Sequence, residues 1–178
     1  MQFGRWVGLG VLSVLAVAVA PSPEVSTWVY KSKLASGWHD FGYATHQADP
    51  SSGAENVDLS NWGGWILASP GVEWRKLGDL SFRYKSTREL GDFLEVRLLT
   101  ADDADSPKII VSEKYRVQRD GWWHVRVPMK ELNPSMQPFD RFRIRAGRKE
   151  PSAIVSIDEI GFLAPQGLVN GAPPPLPA

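Results

Sequence analysis

Cysteine is absent from the 178 residues, which excludes disulfides, thiolate zinc sites, cysteine nucleophiles and a lipid-modified N-terminal cysteine. Histidine is scarce: His39, His46 and His124 form no zinc-ligand spacing, and each reads as a surface or hydrogen-bonding residue. Neither sign of charge is in excess, with 20 Lys+Arg against 20 Asp+Glu, so no overall field recruits nucleic acid or an anionic membrane. Any electrostatic preference is therefore local. No dozen residues sustain a helical apolar stripe, and KELNP (130–134) allows at most one turn before Pro134. The nucleophile elbow, the phosphate loop and the helical histidine pair are missing as well.

The termini read as something other than fold. Arg5 gives a short basic start, and the uncharged apolar run of fifteen residues after it, WVGLGVLSVLAVAVA, is shorter than the ~20 that span a bilayer. With the small pair Ala16/Ala18 as a cleavage site, residues 1–20 are expected to be an export signal. The mature protein is then secreted or periplasmic, free of the membrane once the signal is cleaved. An uncleaved anchor is the alternative, weakened by the lack of a basic cluster beyond the run. At the other end, GLVNGAPPPLPA (167–178) is uncharged and rich in Pro, Gly and Ala, so residues 165–178 are expected to form an extended, disordered tail. One domain remains, residues 25–164.

Within it the signal has period two. LSFRY sets Leu80, Phe82 and Tyr84 against Ser81 and Arg83, and FLEVRLL sets Leu94, Val96 and Leu98 against Phe93, Glu95 and Arg97. WHVRVPM alternates Val125, Val127 and Met129; FRIRAG alternates Phe142 and Ile144 with Arg141, Arg143 and Arg145; AIVSIDEIGFL supplies a late strand. Turn-rich clusters lie between, SPG (69–71), ELGD (89–92), DDADSP (102–107) and QRDG (118–121). Many short strands and no sustained helix predict an all-β, antiparallel β-sandwich.

VYKSKLASGWHDFGYA, GDLSFRYKS, FLEVRLL, DGWWHVRVPMKELNP and VSIDEIGFL, in that order, resemble the landmarks of galactose-binding-like jelly-roll modules. They resemble in particular the carbohydrate-binding modules of family 11 and its relatives, which accompany secreted glycoside hydrolases. The resemblance covers nearly the whole domain and implies a non-catalytic protein that binds polysaccharide. It also implies that Asp158, in the closing I-D-[DE]-I at 157–160, could serve a structural calcium. Where the family often carries an acidic pair after its first tyrosine, Tyr30 here is followed by Lys31 and Ser32.

Parity bears on the paired tryptophans. Trp123 shares a face with Val125 and Val127, which leaves Trp122 outside with His124 and Arg126. The resemblance points the other way: the family's structural tryptophan stands six residues before the proline, as Trp122 does. A bulge after Gly121 would exchange the two, so only the exposure of one ring is expected.

An exposed ring suits a pyranose, whose C–H face packs on an aromatic plane while its hydroxyls take fixed polar partners. WHDFGYATH (38–46) puts Trp38 and Asp40 on one face and His39, Phe41 and Tyr43 on the other, and NWGGW (61–65) sets Trp62 and Trp65 around two glycines that would let a ligand approach the backbone. Eight tryptophans exceed what one core would use. The candidate ligand contacts are Trp122, His124, Arg126, Arg143, Trp62 and Tyr43. Arginine forks suit carboxylates, sulfates and sugars, which favours an acidic or heavily hydroxylated glycan; the bland alternative is a solvated face with charges paired across strands, for example to Glu95. Two other functions fit the same scaffold, a protein-interaction or envelope-assembly domain and a divergent polysaccharide hydrolase. The hydrolase would need two carboxylates from among acids such as Asp40, Asp49, Glu55 and Asp58.

Overall fold

The computed structural model describes residues 24–99 and 107–165. The expected export segment and all but the first residue of the expected tail lie outside them. In chain order the described strands are β1 (Val25–Tyr30), β2 (His39–Asp40), β3 (His46–Ala48), β4 (Glu55–Asp58), β5 (Gly64–Ala68), β6 (Leu80–Ser86), β7 (Leu94–Leu99), β8 (Ile109–Ile110), β9 (Arg116–Arg119), β10 (Trp122–Val127), β11 (Arg141–Ala146) and β12 (Ile154–Leu163). One helical turn, α1 (Met129–Leu132), matches the single turn allowed before Pro134.

The strands form two antiparallel sheets. One runs β3-β4-β12-β6-β10-β9, with β1 also paired to β12; the other runs β2-β5-β11-β7-β8. The predicted β-sandwich is therefore the observed one. β4 pairs with Ile154–Ile157 of β12 and β1 with Ile160–Leu163, so the two follow one another along the same side of the long strand. Between these stretches β12 bulges: Asp158 pairs with Arg83 and Gly161 with Ser81, and Glu159 takes up the extra residue at φ 51°.

The core lies between the sheets. Phe82 and Tyr84 of β6, Val125 and Val127 of β10, Leu94, Val96 and Leu98 of β7, and Phe142 and Ile144 of β11 are all buried, as their alternation requires. Trp38 stacks on Phe162 at 6.3 Å and meets Phe142 edge-on at 5.9 Å, joining the two layers. Two outward positions behave differently from their parity. Phe93 precedes β7 and is buried, with the Arg148 guanidinium 5.8 Å from its ring, and Glu95 is buried beneath two arginines.

The hairpin β9–β10 settles the tryptophan pair. Asp120 and Gly121 both take left-handed conformations (φ 50° and 77°), the two-residue turn that a D-G loop favours. Pairing then runs without a break from Trp122↔Arg119 through Trp123↔Gln118, and Trp123 also stands opposite Tyr84. No bulge follows Gly121. Trp123 packs against the core, and Trp122 faces outward with His124 and Arg126.

Candidate functional site

The outer face of the five-stranded sheet can be built row by row from its register. Tyr43, whose N–H donates to the Gly64 carbonyl (3.1 Å), begins a row that continues through Gly64, Arg145, Glu95 and Ile110. Phe41, whose N–H donates to the Ile66 carbonyl (2.9 Å), begins the next: Ile66, Arg143, Arg97. His39 begins the third: Ala68, Arg141, Leu99. One edge is therefore a column of His39, Phe41 and Tyr43, the middle is small or apolar, and beyond it stands a ladder of three arginines.

Most of the large apolar side chains that meet solvent gather here. Among the described residues, six such side chains are exposed, and four of them, Phe41 (63%), Tyr43 (57%), Trp62 (45%) and Ile110, lie on or at the rim of this face. Trp62 sits in the 3₁₀ turn Ser60–Trp62 just before β5, and its ring is 6.0 Å from the Arg145 guanidinium. Asn61 and Trp62 are both left-handed (φ 51° and 72°), a conformation that costs a non-glycine residue about 1–2 kcal/mol. The chain thus holds an indole in solvent on a strained turn, and such strain concentrates at functional sites. Gly63 fixes the turn, because a β-carbon there would stand 2.4 Å from the Asp58 carbonyl oxygen.

The arginines share one buried acid. Glu95, 3% exposed, takes both prongs of Arg145 (Nε–Oε1 2.7 Å, Nη2–Oε2 3.0 Å), while Arg143 Nη2 stands 3.7 Å from Oε1. Hydrogen bonding to Glu95 raises the Arg145 pKa above its ordinary value. That of Arg143 is pushed down, first by burial and then by the charge of Arg145.

Beneath the aromatic column, polar groups tie the two sheets together. Asp40 accepts the Gly42 N–H on Oδ1 (2.7 Å) and the Trp65 indole N–H on Oδ2 (3.0 Å), and Oδ2 also lies 2.8 Å from His46 Nε2. His46 Nδ1 is 2.8 Å from Glu55 Oε1, and the Tyr30 hydroxyl is 3.0 Å from Glu55 Oε2. Burial and Glu55 hold the Tyr30 phenol well above its usual pKa. This chain anchors from below the segment that carries Phe41 and Tyr43. Asp40 and Glu55 thereby have structural partners.

The six candidate contacts divide between the two outer surfaces of the sandwich. Tyr43, Trp62 and Arg143 share the face just described, whereas Trp122, His124 and Arg126 lie on the opposite face, on β10, and cannot join them in one site. Their surroundings differ too. Arg83 and Lys85 stand 4.6 and 4.7 Å from the Trp122 ring, Arg126 is paired with Asp79 at 2.8 Å, and the His124 pKa is lowered mainly by burial. The tryptophan surplus also resolves: Trp38 and Trp65 are core, Trp28, Trp74, Trp122 and Trp123 are half-buried, and Trp62 alone among the described tryptophans is exposed. The gap expected around the two glycines is not open, since Tyr43 fills the space over Gly64. Phe41, set beside Tyr43 by alternation but not singled out, is more exposed than Tyr43 or Trp62.

The residue expected to serve calcium has protein partners of its own. Calcium takes 6–8 oxygen ligands. Asp158 instead gives one oxygen to Arg83 Nη2 (2.7 Å) and the other to the Ser32 N–H (3.2 Å), and Glu159 lies 3.5 Å from the same guanidinium. Among the described residues no three His, Asp or Glu side chains are placed to share an ion.

No protein-family model and no curated protein matches the sequence, but solved structures match the fold. An arginine-to-alanine mutant of a family 29 carbohydrate-binding module superposes with a TM-score of 0.56 at 15% identity, over 83% of this chain and 98% of that one. A family 11 module from Clostridium thermocellum, in complex with a β-1,3-1,4-mixed-linked tetrasaccharide, gives 0.52 at 10% identity over 78% and 95%. The chain has the jelly-roll fold of carbohydrate-binding modules. An exo-1,3/1,4-β-glucanase from a Pseudoalteromonas species carries the same module fold as 23% of its length, matched by 88% of this chain with a TM-score of 0.54 and 12% identity. At such identities the carbohydrate-binding-module likeness is one of architecture, and function has to be argued from the site.

Proposed function

We propose that this chain binds polysaccharide without cleaving it, across the outer face of the five-stranded sheet, and that it works outside the cytoplasm after loss of residues 1–20. The observation that carries the reading is the gathering of Phe41, Tyr43 and Trp62, all solvent-exposed, beside Arg143 and Arg145. The rings offer planes to the C–H faces of successive sugars, and the guanidinium groups offer fixed donors to hydroxyls or acids. The similar solved structures support it, since one is in complex with a mixed-linked tetrasaccharide and another is an arginine mutant made to probe ligand recognition.

Isothermal titration of the mature protein against soluble β-glucan, xylan, pectin and alginate fragments tests the binding. Saturable binding that is lost in Trp62→Ala, with the fold intact, supports it; absence of heat with every glycan moves the weight to a protein partner. N-terminal sequencing of exported protein tests the cleavage.

A further inference from the structure

We propose that the glycan this face takes is anionic, bearing carboxylate or sulfate groups that seat on Arg143. The proposal rests on the reading that this face binds glycan. Arg141, Arg143 and Arg145 project from alternate residues of β11, about 7 Å apart along the strand, and Arg97 stands opposite Arg143 on β7, about 5 Å across. Four guanidinium groups thus crowd one patch.

The anions that balance them are unevenly shared. Arg141 Nε lies 3.3 Å from Asp140, its neighbour in the chain, and Arg145 takes both oxygens of Glu95 at 2.7 and 3.0 Å. Arg143 reaches the same carboxylate only at 3.7 Å, and its buried Nε, like that of Arg141, has no hydrogen-bond partner among the described residues. Burial first, then the charges of Arg145 and, less, Arg97 disfavour its protonated form, with Tyr43 and Glu95 offsetting part of this. A largely buried cation among like charges is a cost of folding that an arriving anion relieves, so the gain on binding exceeds that of an ordinary surface arginine.

The position fits a sugar acid. Arg143 occupies the same row as Phe41 and lies between the rows that begin with Tyr43 and His39, with only Ile66 between it and the exposed ring. A pyranose lying on Phe41 or Tyr43 would point a ring substituent across Ile66 or Gly64 toward the arginine ladder. Planar carboxylate matches the guanidinium fork, and sulfate offers three oxygens to the same donors.

The test compares, on the full chain, oligogalacturonate with its methyl ester and a sulfated galactan oligosaccharide with its desulfated form, at low and high salt. The expected result is that an anionic member binds at least about tenfold tighter than its neutral counterpart, as one charge-assisted hydrogen bond would give. The preference should shrink with salt, and Arg143→Gln should bring acid and ester to equal affinity. Preference for the uronate over the sulfated chain, or the reverse, identifies which acid is recognised. Equal, salt-independent binding of charged and neutral forms, still dependent on Trp62, overturns this inference and leaves the glycan reading standing; no binding of any form removes both. Should Arg143→Gln fail to fold, the esterification and salt comparisons on the unaltered protein decide.

Discussion

Tyr43 lays the end of its ring over Gly64, so that a β-carbon at position 64 would stand 2.5 Å from the phenolic oxygen, 2.7 Å from Cζ and 3.1 Å from Arg145 Cβ. A missing side chain in β5 therefore sets how an exposed ring of the neighbouring segment lies on the sheet. The aromatic column and the arginine ladder meet there.

Gly64→Ala is expected to lift Tyr43 off the sheet. Overpacking in a closed core costs about 1–3 kcal/mol, but Tyr43 is exposed and free to swing aside, so stability should fall by less than about 1 kcal/mol. Glycan affinity should drop about tenfold, the worth of roughly one lost aromatic contact. Thermal melting and titration calorimetry on the same protein separate the two effects.

Trp62→Gly should abolish glycan binding without weakening the fold. Trp62 is left-handed at φ 72°, where an L side chain is strained by about 1–2 kcal/mol and glycine is not. The expected melting temperature is equal to or above that of the unaltered protein. A clear fall would mean that the indole packs to hold β5 in place.

His46→Ala should destabilise, because it leaves two largely buried carboxylates, Asp40 and Glu55, without the ring between them. Each now has a His46 nitrogen at 2.8 Å. Both keep other partners, Gly42 and Trp65 for Asp40 and Tyr30 for Glu55, so the loss should be about 1 kcal/mol, visible as a lower urea midpoint, and His46→Gln should restore part of it by donating to one acid.

Two groups give the stability a readable pH dependence. Asp49 accepts the Ser51 N–H and both the Ser51 and Ser52 hydroxyls, which lowers its pKa from 3.8 to about 2. A depressed carboxylate stabilises above its unfolded value, so this contribution is complete above about pH 4 and lost as pH falls toward 2. Carbon-detected NMR should show the Asp49 midpoint near 2, with Ser51 amide protection lost in step. The His124 pKa is also depressed, chiefly by burial and then by Arg83, so its contribution is complete above pH 6.5 and declines as pH falls below it. His124→Asn should flatten the stability profile below pH 6.5.

Alternation made the long strands legible. The Leu80–Tyr84, Leu94–Leu98, Val125–Val127 and Phe142–Ile144 faces point inward as period two requires, and the D-G turn before Trp122 keeps its parity unbroken. Alternation says only in or out, however. It made Trp122, His124 and Arg126 outward and Arg143 outward alike, while strand pairing put β10 and β11 in different sheets. Most long-range partners were hidden: Asp79 for Arg126, 47 residues away, depends on which strands and loops meet, whereas Glu95, offered as a cross-strand partner for the arginines, does take Arg145, 50 residues away. Tyr43 over Gly64 joins two segments whose adjacency neither sequence announces. For the same reason Asp158, named for calcium, found Arg83 across the strand, 75 residues away.

The most direct test of the central claim is calorimetric titration of Trp62→Ala and Trp122→Ala with whichever glycan binds the unaltered protein. Trp62→Ala should melt normally and bind at least about tenfold more weakly, while Trp122→Ala, losing contacts to Arg83 and Lys85 worth about 0.5–1 kcal/mol each, should melt lower and bind as before. Binding lost in Trp122→Ala and kept in Trp62→Ala would place the glycan on the seven-stranded sheet and contradict that claim.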